Sequence, residues 1–268
     1  MEGRGLFTGQ TVHVRLKPAP ADAGLVFTRV DLSPEVQISA TIQSVAKRFQ
    51  RTTLANGDVS VETAEHLLAA LEGLEIDNLA VELNGPELPA GDGSAADYVR
   101  LLRQAGIVEQ PADRPVLKIV EPVTVQDGGA VIAALPGDED ALVITYHLDY
   151  GPQSVIPPQM CHLRLTPDTF VEDLAASRTF ILDSEVEDLR RRGYGPEVTY
   201  QDLLVFGSEG PIENTLVQTR PGNPLTRRRA IVIIPNAFAA LEALQDPERG
   251  LQGPARGRAA GIRQGRLP

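Results

Sequence analysis

The order of its two periodicities constrains this 268-residue chain more than any single motif does. Strand-like stretches come first and helix-like stretches later, and the series then runs a second time. Val12, Val14 and Leu16 alternate with polar neighbours, the period of a half-buried strand, until Pro18 and Pro20 stop the run. Further strands are expected at Leu25–Arg29, Val36–Val45 and Leu79–Leu83, with a turn at Asn56-Gly57. From Glu62 to Leu74 the period lengthens, and Leu67, Leu71 and Leu74 fall on one helical face. Ser94 predicts the cap of a second helix reaching Gln104, with Gly106 just beyond its end.

Pro111–Pro115 reads as a linker. Beyond it, strands are expected near Val116–Val120, Ala130–Leu135, Leu142–His147 and His162–Leu165, then helices at Asp168–Ala176 and Ser184–Arg192. A strand over Ala230–Ile234 and a helix from Asn236 to Leu244 close the series. The pattern predicts an α+β chain of two similarly planned domains packed together, residues 1–110 and 116–245. Residues 246–268 are rich in Gly, Arg and Pro without periodicity, which predicts a disordered basic tail.

A net charge of −11 argues against nucleic acid as a partner, because a phosphate backbone would be repelled at long range. That charge is unevenly spread. Residues 1–215 hold 33 acids against 16 bases, whereas residues 216–268 hold 9 arginines against 3 acids. The chain therefore changes character near residue 216. No run approaches the ~20 apolar residues of a membrane span, and the first residues lack the layout of a secretory leader. Cys161 is the sole cysteine, which excludes an intrachain disulfide framework. A cytoplasmic location is the resulting expectation.

Glu65-His66 on the first helix is the most suggestive pair. An imidazole is a good zinc ligand, and an adjacent carboxylate suits a general base. Glu62 is expected one turn earlier on the same helix. The pair does not meet the His-Glu-x-x-His spacing, since Glu62 and Ala70 stand where a second histidine would be needed. Read alone, it also suits a solvent-facing or structural position. Gly91-Asp92-Gly93-Ser94 suits either an anion at a helix start or an ordinary capped turn. Arg178-Thr179-Phe180 suits contact with a polar substrate. The runs Arg190–Arg192 and Arg227–Arg229 suit phosphate or a solvated face.

Several of these segments fall together. Gly5-Leu6-Phe7-Thr8-Gly9 is followed by VETAEHLLAALEGLEIDN at residues 61–78 and by Pro86-Glu87-Leu88-Pro89 with Asp92-Gly93-Ser94. Ala176-Ser177-Arg178-Thr179-Phe180 and Gly210-Pro211-Ile212-Glu213-Asn214 come later in the same order. Over about residues 3–216 the chain resembles the zinc-dependent UDP-3-O-acyl-N-acetylglucosamine deacetylase family of lipid A biosynthesis. The resemblance implies a Zn2+ cofactor, His66 as a zinc ligand and Glu65 as general base. It also implies Thr179 beside the reacting carbonyl, Phe180 lining the site, and a UDP-acyl-glucosamine-type ligand.

The same resemblance exposes three departures. The family's second histidine ligand and its aspartate come from a later helix of the form HKxxDxxGDL, and this chain has none. Its four histidines are His13, His66, His147 and His162. The family's late catalytic histidine aligns with Asn236, and an early one with Phe7. Catalytic zinc takes three protein ligands, and only His66 is retained. Two readings stay open: a natural non-catalytic ligand-binding or regulatory relative, or the product of a damaged gene. In either case loss of the helix should bare Leu203, Val205, Phe206 and Ile231–Ile234 in the second domain.

Overall fold

The computed structural model describes residues 1–48, 50–137, 141–191, 202, 204–208, 210–212 and the backbone of 251–262. Its first hundred residues are organised by strands β1 (Glu2–Arg4), β2 (Thr11–Pro18), β3 (Leu25–Arg29), β4 (Val36–Ser39) and, later in sequence, β8 (Leu79–Leu83). Their order in the sheet is β1-β2-β8-β3-β4. The central β8 runs antiparallel to β2 and parallel to β3. The alternation read from the sequence is the burial pattern observed: Val12 and Val14 are buried while Thr11 and His13 face solvent.

The expected strand Val36–Val45 is broken in the structure. Ile42–Ser44 form a 3-10 turn, and the chain resumes as β5 (Val45–Ala46) in a second sheet. There β5 pairs with β6 (Thr53–Asn56), which pairs with β7 (Val59–Glu62) across the tight turn at Gly57. Gly57 holds φ at +59°, a backbone state open to glycine at little steric cost.

Helix α1 (Glu65–Gly73) is shorter than the apolar period suggested, because Glu62 closes β7 and Thr63 intervenes at φ +56°. Glu62 is therefore not one helical turn before His66. It ion-pairs instead with Arg51 at 2.7 Å and with Arg48 at 3.8 Å. Helix α2 (Ala96–Ala105) ends at Gly106, whose φ of +83° marks the stop. Ala95, rather than Ser94, occupies the capping position, although the Ser94 Oγ accepts from the Ala96 N–H at 3.2 Å. Leu67, Leu71 and Leu102 from these helices pack with Phe27, Ile38 and Tyr98 in one core.

The Pro111–Pro115 stretch is strand rather than linker. It lies inside β9 (Ile107–Ile119), which pairs with a strand at Leu251–Ile262, here β17, in the stretch expected to be without order. Proline lacks the N–H that a ladder needs, so it reads as a breaker, yet it is tolerated where that donor is not required. Pro115 pairs in register with Arg256, while Pro111 falls between paired positions.

Next come two separate hairpins. One joins β10 (Val123–Asp127) to β11 (Ala130–Ala134), and the other joins β12 (Val143–Leu148) to β13 (Gln159–Arg164). They carry most of the exposed large apolar side chains, among them Val131, Leu135, Leu142, Val143 and Met160.

The chain then returns to the first core. The helix expected over Asp168–Ala176 is a single turn, α3 (Pro167–Thr169), running into a π-helical turn at Phe170–Leu174. Phe170 and Ala175 are members of the first core, and the Phe170 ring lies against Gly73 of α1. A Cβ added to Gly73 would sit 2.2 Å from that ring, so only glycine fits. Helix α4 (Asp183–Arg191) follows β14 (Phe180–Leu182), which pairs in parallel with β15 (Leu204–Gly207); β15 in turn meets β16 (Gly210–Pro211).

Val205, expected to be bared, is buried, and Phe206 meets Phe180 edge-on at 5.4 Å between centroids. Among the described residues, most of the exposed large apolar side chains lie on or beside the hairpins. Leu203, Asn236 and the stretches 230–234 and 236–244 lie outside the described residues. The architecture is mixed α and β, in keeping with the α+β expectation.

Candidate functional site

The positive φ of Thr63 turns the chain sharply from β7 into α1, so the first two residues of the helix are Glu65 and His66. The Thr63 Oγ1 donates to the buried Glu87 carboxylate at 2.8 Å. That carboxylate also accepts from the Thr8 N–H at 2.7 Å and the Phe7 N–H at 3.0 Å. One acid thus ties the N-terminal Gly5–Gly9 turn to the helix entrance. Phe7 lies beneath the Arg51 guanidinium, 4.2 Å from its ring centroid.

Glu65 accepts the Thr52 N–H at 2.9 Å. Burial nevertheless dominates its environment and pushes the carboxyl up to about 7, with that N–H working in the opposite direction. His66 is buried, which pushes its imidazole down to about 4 against the attraction of nearby Asp92. Around neutral pH the ring is uncharged. Its Nδ1 has no hydrogen-bond partner among the described residues, an uncommon state for a buried polar atom.

The Gly91–Ser94 turn connects this pair to the second half of the chain. Its Asp92 carboxylate folds back on Ser94, accepting from the Ser94 N–H at 3.0 Å and the Oγ at 2.6 Å. The backbone of the turn receives the other half: the Thr179 N–H donates to the Gly93 carbonyl at 2.7 Å, and the Arg178 Nε to the Asp92 carbonyl at 2.5 Å. Thr179 is half-buried and its carbonyl accepts from Leu204 at 3.1 Å, which places it at the start of β14. Phe180 follows it and packs on Phe206.

The turn thus relates to His66 through the field of Asp92 and to Thr179 through the Gly93 carbonyl, and Phe180 follows Thr179 in β14. Gly93 and Arg178 are the residues that sequence reasoning undervalued. Their significance depends on a long-range contact that local pattern does not carry.

A hydrolytic zinc needs three protein donors and an open position for water. The unpartnered His66 nitrogen suits one of those donors. No group of three His, Cys, Asp or Glu side chains able to hold a metal occurs among the described residues. His13 Nδ1 lies 3.4 Å from the Glu2 carboxylate, His162 bonds Thr145, and His147 faces solvent on β12. Beyond residue 162 the chain has neither histidine nor cysteine. Among the described residues the donor set does not fit a catalytic zinc.

A half-buried acid and a buried imidazole thus open α1, and the backbone of Thr179 is tied to the Gly93 turn. Comparison with known proteins gives the particular family. The family model for LpxC, UDP-3-O-acyl N-acetylglycosamine deacetylase, matches residues 1–220, and the chain belongs to that family. A Pseudomonas entomophila protein named UDP-3-O-acyl-N-acetylglucosamine deacetylase is 38% identical over 221 residues, covering 82% of this chain and 68% of the relative. A Geobacter protein of the same name is 39% identical over 210 residues, covering 78% and 68%. One from Teredinibacter turnerae is 41% identical over 192 residues, covering 71% and 63%. The matched stretch thus spans about two thirds of each relative's length.

Proposed function

We propose that this chain carries the ligand-binding scaffold of the lipid A deacetylase family and binds a UDP-3-O-acyl-N-acetylglucosamine-type ligand without hydrolysing it. Glu65 and His66 form one side of the binding face, and Thr179 and Phe180 the other. The observation that carries this reading is the histidine distribution. Of the four histidines only His66 is buried, and His13, His147 and His162 are exposed positions on strands elsewhere.

With one imidazole, a metal-bound water would be neither held nor acidified, and Glu65 would have no strong nucleophile to generate. Among the described residues no helix is long and apolar enough to cross a membrane, and the expected site of action is the cytoplasm. The test is to purify the full chain and measure its zinc content, its acetate release from UDP-3-O-acyl-N-acetylglucosamine, and its binding of that compound by calorimetry. The expected result is zinc well below one per chain, no acetate above background, and saturable binding. Stoichiometric zinc with turnover that His66→Ala abolishes would overturn the proposal.

A further inference from the structure

Three hydrogen bonds stitch residues 175–179 to the turn before α2. The Ala95 N–H donates to the Ala175 carbonyl at 3.0 Å, the Thr179 N–H to Gly93 at 2.7 Å, and the Arg178 Nε to Asp92 at 2.5 Å. The first two are ordinary backbone bonds. The third uses a guanidinium that is only 7% exposed. Taking such a cation out of water is unfavourable unless its donors are well satisfied, so an arginine is a costly way to make a simple crosslink. Asp92 and Asp202 supply the negative field that offsets the burial.

The turn has no slack at this point. Gly93 holds φ at +81°, and an added Cβ would stand 2.6 Å from the Asp202 carbonyl and 3.1 Å from the Thr179 methyl. The Asp92 carboxylate of the same turn lies within electrostatic reach of His66.

From these contacts we infer that Arg178 is a positioning residue for Thr179: it closes the Asp92–Gly93 turn onto the threonine, so that Thr179 and His66 face one ligand. The inference rests on the binding reading above and adds a residue to it. Arg178 acts through Thr179 and need not touch the ligand itself.

A double-mutant cycle tests this with UDP-3-O-acyl-N-acetylglucosamine as probe, using Arg178→Gln, Thr179→Val and the pair, in the full chain. Arg178→Gln should weaken binding at least tenfold in the native background and leave it nearly unchanged once Thr179→Val is present. Additive losses, or no loss from Arg178→Gln alone, would overturn the inference. Should Arg178→Gln fail to fold, Arg178→Lys keeps the charge, loses the planar fork, and is read in the same cycle.

Absence of binding by the native chain would overturn the functional reading and leave the positioning role to a ligand-free measurement. In protein labelled at threonine methyls, the Thr179 resonance, assigned by its loss in Thr179→Val, should move in Arg178→Gln while those of Thr53 and Thr63 stay fixed. An unmoved Thr179 methyl would overturn the positioning role.

Discussion

Residues 1–105 and residues 120–164 are both rich in strands, yet they solve the burial problem differently. In the first region, a five-stranded sheet, a three-stranded sheet and two helices cover one another, and Leu54, Leu67, Leu71 and Leu83 have no exposed surface. In the second, two hairpins stand as separate two-stranded sheets, with Leu135 64% and Met160 74% exposed. Strand propensity alone does not make a stable sheet. A two-stranded hairpin is marginal in water unless a further layer packs on its apolar face. Shared elements make the first region a core. The second has a sheet's pairing with only a few buried apolar side chains, Val123, Leu148 and Ile156, among the described residues.

Hydrogen exchange gives the widest expected separation between the regions. Amides of β8 and α1 should exchange on the order of a hundredfold more slowly than those of β10 to β13, because the hairpins can open without unfolding the core. Equal protection would break the comparison by showing that the hairpins are covered in solution.

Side-chain truncation sharpens the same contrast. Leu71→Ala removes packing from a fully buried site of α1 and should cost about 2–5 kcal/mol in urea denaturation. Met160→Ala, on an exposed hairpin face, should stay within about 0.5 kcal/mol. A large loss from Met160→Ala would locate a buried contact on that hairpin.

The smallest expected effect is in the pH profile of metal-free protein. The folded state keeps a proton on Glu65 that the unfolded chain has released, so this group's contribution is present below about 4.5 and lost as pH rises through about 7. His66 works the other way. Its folded value is lowered, so stability from the neutral ring falls as pH drops from about 6.5 through about 4. The two slopes oppose each other, and the native chain should vary little between them. Glu65→Gln should unmask a rise in stability with pH across the His66 window. A fall over that range would contradict the burial of His66.

Much of the first region was legible because its periods are set locally. Val12, Val14 and Leu79–Leu83 alternate as strands do, and Leu67 and Leu71 share a helical face. Errors arose where tertiary contact overrides local pattern. Glu62 reads as helix but closes a strand, because Thr63 is held at its positive φ with Glu87 as its side-chain partner. Asp168–Ala176 reads as one helix, whereas Phe170 packed on Gly73 accompanies a π turn. Proline made β9 look like a linker. At the candidate site, Glu65, His66 and Thr179 were named from residue type and resemblance. Arg178 was seen only as part of a triplet, since its bond to Asp92 spans 86 residues.

The seat of Phe170 on Gly73 also bears on recombination. A crossover near residue 110 looks natural from the repeated plan of the two halves, but it would take Gly73 from one parent and Phe170 from the other. Any parent with a side chain at the first position would collide with a phenylalanine at the second. A crossover placed after Ala175 would inherit the pair together. In this chain the unit that must be exchanged whole therefore extends about 65 residues past the boundary that the repeated plan suggests.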